Sequence, residues 1–177
     1  MDRRGFEMGD VFVEKIVRRK MDLKMMGIRL LLILGVAVVV FIGMFTQLLG
    51  FLSAIVVVLA GWGAWWAWGF TNVEFEYALT NGDLDVDKIL SQRTRKRLTT
   101  VKCREMELAA PVDAAHMGDF NDPNVKKTID ASSAPNAPGR WFIIYNAKDG
   151  VRTKLIFEPD ERFIDGMHRA APRKVLR

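Results

Sequence analysis

Charged side chains vanish from the chain between Leu30 and Phe70 and crowd on both sides of that stretch. As one helix the stretch would be about 60 Å long at 1.5 Å per residue, twice a hydrocarbon core of about 30 Å. Two spans fit it. Thr46, Gln47 and Gly50 interrupt the apolar run, so the pattern predicts one transmembrane helix over residues 28–45 and a second over 51–70. A cleaved signal peptide is disfavoured, because the run starts late, is too long and flows into a second one without a clear small-residue cleavage site. Upstream, residues 10–24 set Val11, Phe12, Ile16 and Val17 among Lys15, Arg18, Arg19 and Lys20. Residues 1–27 are read as a basic amphipathic segment, with a helix lying on the anionic membrane surface. The competing reading is an ordinary basic flank of the first span.

Downstream the period changes to two. Val73, Phe75, Tyr77 and Leu79 alternate with Glu74, Glu76, Ala78 and Thr80, the mark of a half-buried strand. Asn81-Gly82 follows, a strong hairpin signal, and Leu84 and Val86 continue the apolar face. A two-residue turn pairs Leu79 with Leu84 and Tyr77 with Val86. A third strand, or a pair of short ones, is expected over 97–108. Residues 109–139 contain Pro111, Pro123, Pro135 and Pro138 and read as a long loop with a helical turn near 112–117. A second hairpin, 141–146 with 151–157, surrounds Lys148-Asp149-Gly150. Phe163, Ile164, Met167 and Ala170 make the apolar stripe of a last helix, expected over 159–171 with Pro159 in its first turn and Pro172 after its end.

The expected fold is therefore a membrane α-helical hairpin plus a small α+β domain over 71–177. That domain is an antiparallel β-sheet or an open barrel of about five strands, closed by a C-terminal helix.

Charge adds an orientation. The net charge is +5, with Arg3, Arg4, Lys15, Arg18, Arg19, Lys20, Lys24 and Arg29 beside the first span. The turn between spans carries no Lys or Arg. The positive-inside rule then puts both termini and the β-rich domain in the cytoplasm of a multi-pass cell-membrane protein. The same placement accounts for the basic balance without nucleic acid as a partner. Trp62, Trp65, Trp66 and Trp68 fall at the cytoplasmic end of the second span and suit the headgroup zone as interfacial anchors. Ala60 and Ala64 form a small-xxx-small pair that would let another helix approach.

Candidate chemistry is sparse. Cys103 is the only cysteine, and neither it nor His116 or His168 stands in a metal or nucleophile spacing. Glu74, Glu76, Asp85 and Asp87 share one strand face, and Asp83 to Asp87 resembles the start of a calcium loop. Lys88 and Thr94, however, stand where that loop needs Gly and a closing Glu. Arg93, Arg95, Lys96 and Arg97 follow. They either touch anionic headgroups as a basic turn returned to the membrane or neutralise the carboxylates across the sheet. No Gly-rich phosphate loop, nucleophile elbow, zinc site or triad is present, so no enzyme activity, cofactor or metal is expected.

The run Phe75-x-Tyr77-x-x-Thr80-x-x-x-Leu84-x-Val86 after two spans resembles membrane-anchored bacterial proteins with a pleckstrin-homology-like (PH-like) domain. In those domains a Tyr-x-x-Thr strand turns into a Leu-x-Val strand and a C-terminal helix plugs an open barrel. Residues 73–98 and 155–159 and the tail Pro172-Arg173-Lys174-Val175 also resemble a bacterial family of two-span membrane proteins. The resemblance implies the fold and the tether, and it carries over no activity and no lipid-binding residue. The expected function is a non-catalytic, membrane-tethered interaction module, and the alternative is an accessory subunit of a transporter or cell-envelope complex. The expected partners are the bilayer with its anionic headgroups and a membrane protein or a second copy of the chain.

Overall fold

The computed structural model describes residues 12–21, 23–45, 50, 52–69 and 72–176, with Lys24, Met44 and Phe45 described in the backbone alone. Two helices, α1 (Leu23–Phe45) and α2 (Leu52–Gly69), lie against each other. At 1.5 Å per residue they are about 34 and 27 Å long, and both are long and apolar enough to cross a membrane. The interruption at Thr46 and Gln47 falls outside the described residues.

The segment before α1 is a strand, β1 (Phe12–Arg18), and not the expected surface helix. It pairs antiparallel with β2 (Val73–Thr80), with Val13 opposite Leu79, Lys15 opposite Tyr77 and Val17 opposite Phe75. Val17 is buried and Val13 packs on the core. Lys15 lies between them and donates from Nζ to the Glu158 carbonyl oxygen at 2.8 Å. Three β-branched residues in this short run and a satisfied inward Lys favour strand over helix. The helical hairpin is thus an insertion between two hydrogen-bonded neighbours of one sheet. The connections are short, and the backbone N–H groups of Arg19 and Lys20 bond to Val73 and Ser133 carbonyls at 2.9 and 2.8 Å.

That first sheet runs β1-β2-β3-β4, with β3 (Asp83–Leu90) and β4 (Thr94–Lys102). The β2–β3 turn has the expected register, Leu79 with Leu84 and Tyr77 with Val86. Asn81 and Gly82 take φ of 53° and 90°, as a type I′ turn requires. A bulge between Val86 and Asp87 shifts the β3–β4 register so that Asp87 faces Arg97.

The second sheet runs β5-β7-β8-β6, with β5 (Leu108–Pro111), β6 (Lys127–Asp130), β7 (Trp141–Asn146) and β8 (Arg152–Phe157). Here the expected long loop is corrected: residues 109–139 supply most of β5, all of β6 and a single helical turn, α3 (Met117–Phe120). The count rises from about five strands to eight among the described residues. The β7–β8 hairpin stands as expected.

The core lies between the sheets and is closed by α4 (Glu161–Ala170), which buries Phe163 and Met167. Tyr77 meets Phe157 and Phe163 edge-on at 5.6 and 6.3 Å. Pro159 precedes α4 instead of sitting in its first turn. Asp160 is the N-cap, its side chain accepting from the Phe163 N–H at 3.1 Å.

Candidate functional site: the hairpin–domain junction

Four carboxylates of the first sheet, Glu74, Glu76, Asp85 and Asp87, are engaged by arginines. Glu74 is held by Arg18 at 2.8 Å, and Glu76 by Arg95. Arg97 pairs with Asp87, and with Asp85 at 2.6 Å. Arg95 also reaches Asp87 at 3.9 Å. Glu76 and Asp87 stand directly opposite each other and are 6% and 5% exposed, and the guanidinium of Arg95 reaches both, which offsets the repulsion of like charges on adjacent strands. The arrangement neutralises a sheet face, and among the described residues no group of three or more His, Cys, Asp or Glu is placed to hold a metal ion. Cys103 is fully buried, and burial pushes its thiol up to about 11, far from the thiolate that a nucleophile needs.

The structure separates the four basic residues singled out in the sequence. Arg95 and Arg97 belong to the ion-pair ladder. Lys96 is exposed in β4, opposite Lys88. Arg93 lies in the β3–β4 turn, where Ser91 and Gln92 both have positive φ, and its guanidinium lies 5.6 Å from the Trp65 ring centroid. The Ser91 hydroxyl donates to the Gly69 carbonyl at the end of α2, which ties this turn to the hairpin.

Trp62, Trp65, Trp66 and Trp68 occupy the last two turns of α2, and all are exposed, from 63% for Trp62 to 37% for Trp68. Trp68 lies under the guanidinium of Arg29 at 4.6 Å. Arg29, near the start of α1, donates to Asn72 Oδ1 at 3.0 Å and to Met21 Sδ at 2.7 Å. Trp65, Trp66 and Trp68, the arginines 18, 19, 29 and 93, and Glu74 line a pocket of about 490 Å³ at the foot of the hairpin. A second, apolar groove of about 550 Å³ runs between the helices past Leu32, Ile33, Val36, Gly61 and Ala64, and it shares Trp65 and Trp68 with the first.

The sequence identified the tryptophans and Arg93 and missed Arg18, Arg19, Arg29 and Asn72 as parts of one place. The usable signal was Arg29, the last cation before the charge-free stretch and nearly two turns inside α1, where a long side chain reaches back to the headgroup level.

No curated protein and no solved structure matches the chain. A family model described as bacterial PH-like domain (DUF6106) matches residues 9–177. The match takes in β1, the helical hairpin and both sheets together, and the chain belongs to the bacterial PH-like domain family DUF6106.

Proposed function

We propose that the chain is a non-catalytic interaction module whose β-rich domain is fastened to the cell membrane by the hairpin, with both termini in the cytoplasm. One observation carries the reading. The hairpin leaves the sheet after β1 and re-enters at β2, its neighbour. Both connections are short, so the domain has little freedom to swing away from the bilayer in which α1 and α2 would sit. The basic flank of α1 and the tryptophan cluster of α2 then fall at one headgroup level. Arg93 and Lys96 are the cations of the β3–β4 region offered to that surface, while Arg95 and Arg97 serve the sheet. The apolar groove between the helices favours the second reading, an accessory subunit, because Ala64 and Gly61 leave room for a helix of a partner complex.

Cysteine accessibility on intact cells tests the topology. A cysteine replacing Gln47 should react with an impermeant thiol reagent from outside, and one replacing Lys148 should react only after permeabilisation. Lys148 is exposed and so reports its side of the membrane, which the fully buried Cys103 does not. Labelling of Lys148→Cys on intact cells would overturn the orientation. Equal labelling of both sites from outside would overturn the two-span tether.

A further inference from the structure

The basic pocket and the apolar groove meet at Trp65 and Trp68. Together they present cations at one end and hydrocarbon at the other. Within the pocket, Arg18 is matched by Glu74 at 2.8 Å. Arg29 is positioned by Asn72, Met21 and the Trp68 ring. Arg19 and Arg93 have no carboxylate partner among the described residues. Each has its guanidinium near an aromatic ring, Phe75 at 6.0 Å and Trp65 at 5.6 Å. An aromatic contact on a guanidinium face leaves its edge N–H donors free for a second ligand, and those donors match the oxygens of a phosphate. Among the described residues Glu74 is the only carboxylate lining the pocket, so the cations there outnumber it and an oxyanion is the complementary guest.

We propose that the junction is a binding site for one anionic phospholipid, its phosphate held by Arg19 and Arg93 and an acyl chain lying in the groove past Val36, Gly61 and Ala64. This rests on the reading that the hairpin spans the membrane. A free phosphate would use the same guanidinium chemistry. The lipid is favoured because the groove continues from the pocket along the helices, where a free phosphate has no use for it. Tryptophan rings also settle at the depth of lipid headgroups. Bound there, the lipid would join α1, α2, β1 and the β3–β4 turn, and so set the domain's angle to the membrane.

The test uses the full chain purified in a non-ionic detergent, with retained lipid counted by native mass spectrometry after exposure to equal phosphatidylglycerol and phosphatidylcholine. Phosphatidylglycerol should be retained in preference. Arg19→Gln with Arg93→Gln should weaken that retention about 25-fold, about fivefold for each charge at the membrane surface. Ala64→Phe, which fills the groove, should also reduce it, whereas Lys148→Gln, on the far hairpin, should leave it unchanged. Equal retention of the two lipids, or retention indifferent to Arg19 and Arg93, would overturn the site. Full displacement by inorganic phosphate together with an unaffected Ala64→Phe would reassign the pocket to a soluble phosphate and overturn the lipid assignment. Extraction of each variant's membranes with alkaline carbonate separates the two levels. A chain that stays in the membrane but shows no lipid preference refutes the site alone, and a chain that is released refutes the tether.

Discussion

The two sheets share a core but treat their outer faces in opposite ways. The first sheet shows water a ladder of ion pairs, Arg18–Glu74, Arg95–Glu76 and Arg97–Asp87. The second buries a small apolar cluster, Ala110, Phe142, Ile144 and Ile156, under residues 112–125, where Val112, Phe120 and Val125 pack down on it. Lys154 fastens this cover, donating to the Phe120 carbonyl oxygen with its ammonium 4.0 Å from the ring centroid. Arg152 fastens it a second time through Asp122. A strand solvated on one face needs alternating residues, and a strand covered on both needs a continuous apolar run. Residues 73–80 follow the first rule, and Trp141-Phe-Ile-Ile-Tyr145 follows the second.

The sharpest way to break this contrast is Phe142→Ala. Phe142 is fully buried on the covered face, and the truncation should cost about 3–5 kcal/mol. Thr80→Ala, on the solvated face of the first sheet, should stay within about 0.5 kcal/mol. Denaturant melts of the full chain in detergent compare the two. Similar losses would mean that the second sheet has no true outer cover.

The sequence made the solvated sheet legible and hid the covered one's lid. Asn81-Gly82 and the alternation around it specified strand, turn and register together. The lid has the sequence of a loop because its contribution is a few apolar residues scattered among prolines, meaningful only beside a β7 that is apolar on both faces. β1 is hidden for a different reason. Its inward set is Val13, Lys15 and Val17, and the Lys breaks the alternation until Glu158, far along the chain, supplies its partner. The junctional pocket draws on Arg18, Arg19 and Arg29, on Trp65, Trp68 and Glu74, and on Ser91 and Arg93. No local window contains it, so only its tryptophans and Arg93 stood out.

A smaller effect sharpens the solvated side of the contrast. Arg95→Gln should leave Glu76 and Asp87 facing each other with one cation fewer, at a cost of about 1–3 kcal/mol. Adding Glu76→Gln should recover part of the loss, because the repulsion then disappears. A double variant less stable than Arg95→Gln alone would show that Glu76 is not held for its charge.

The smallest effect concerns acid. Backbone and side-chain donors of Asn124, with the guanidinium of Arg152, hold the Asp122 carboxyl below the usual carboxylate range. A depressed folded-state pKa stabilises the folded form above the unfolded value of about 3.9, and the contribution fades as pH falls through the folded value. The protection of residues 112–125 against hydrogen exchange, corrected for the intrinsic pH dependence of amide exchange, should therefore fall below about pH 4. Asp122→Asn should flatten this dependence. An unchanged profile would show that the lid is held by its apolar contacts alone.

The central claim is that the hairpin is inserted between neighbouring strands, and disulfide trapping tests it most directly. Glu14 and Ala78 are opposite one another in the β1–β2 ladder, and Asp85 lies opposite Ala78 on the next strand. Directly opposed Cα atoms in an antiparallel pair are about 4.5–5.5 Å apart, within the reach of a disulfide. A residue two strands away, at about 9.6 Å, is out of reach. In the purified full chain, with Cys103 buried and out of the way, mild oxidation should join Glu14→Cys to Ala78→Cys nearly completely and should not join Glu14→Cys to Asp85→Cys. Failure of the first pair to close, or equal closure of both, would mean that residues 12–18 are not a strand of this sheet and that the domain begins only after the hairpin.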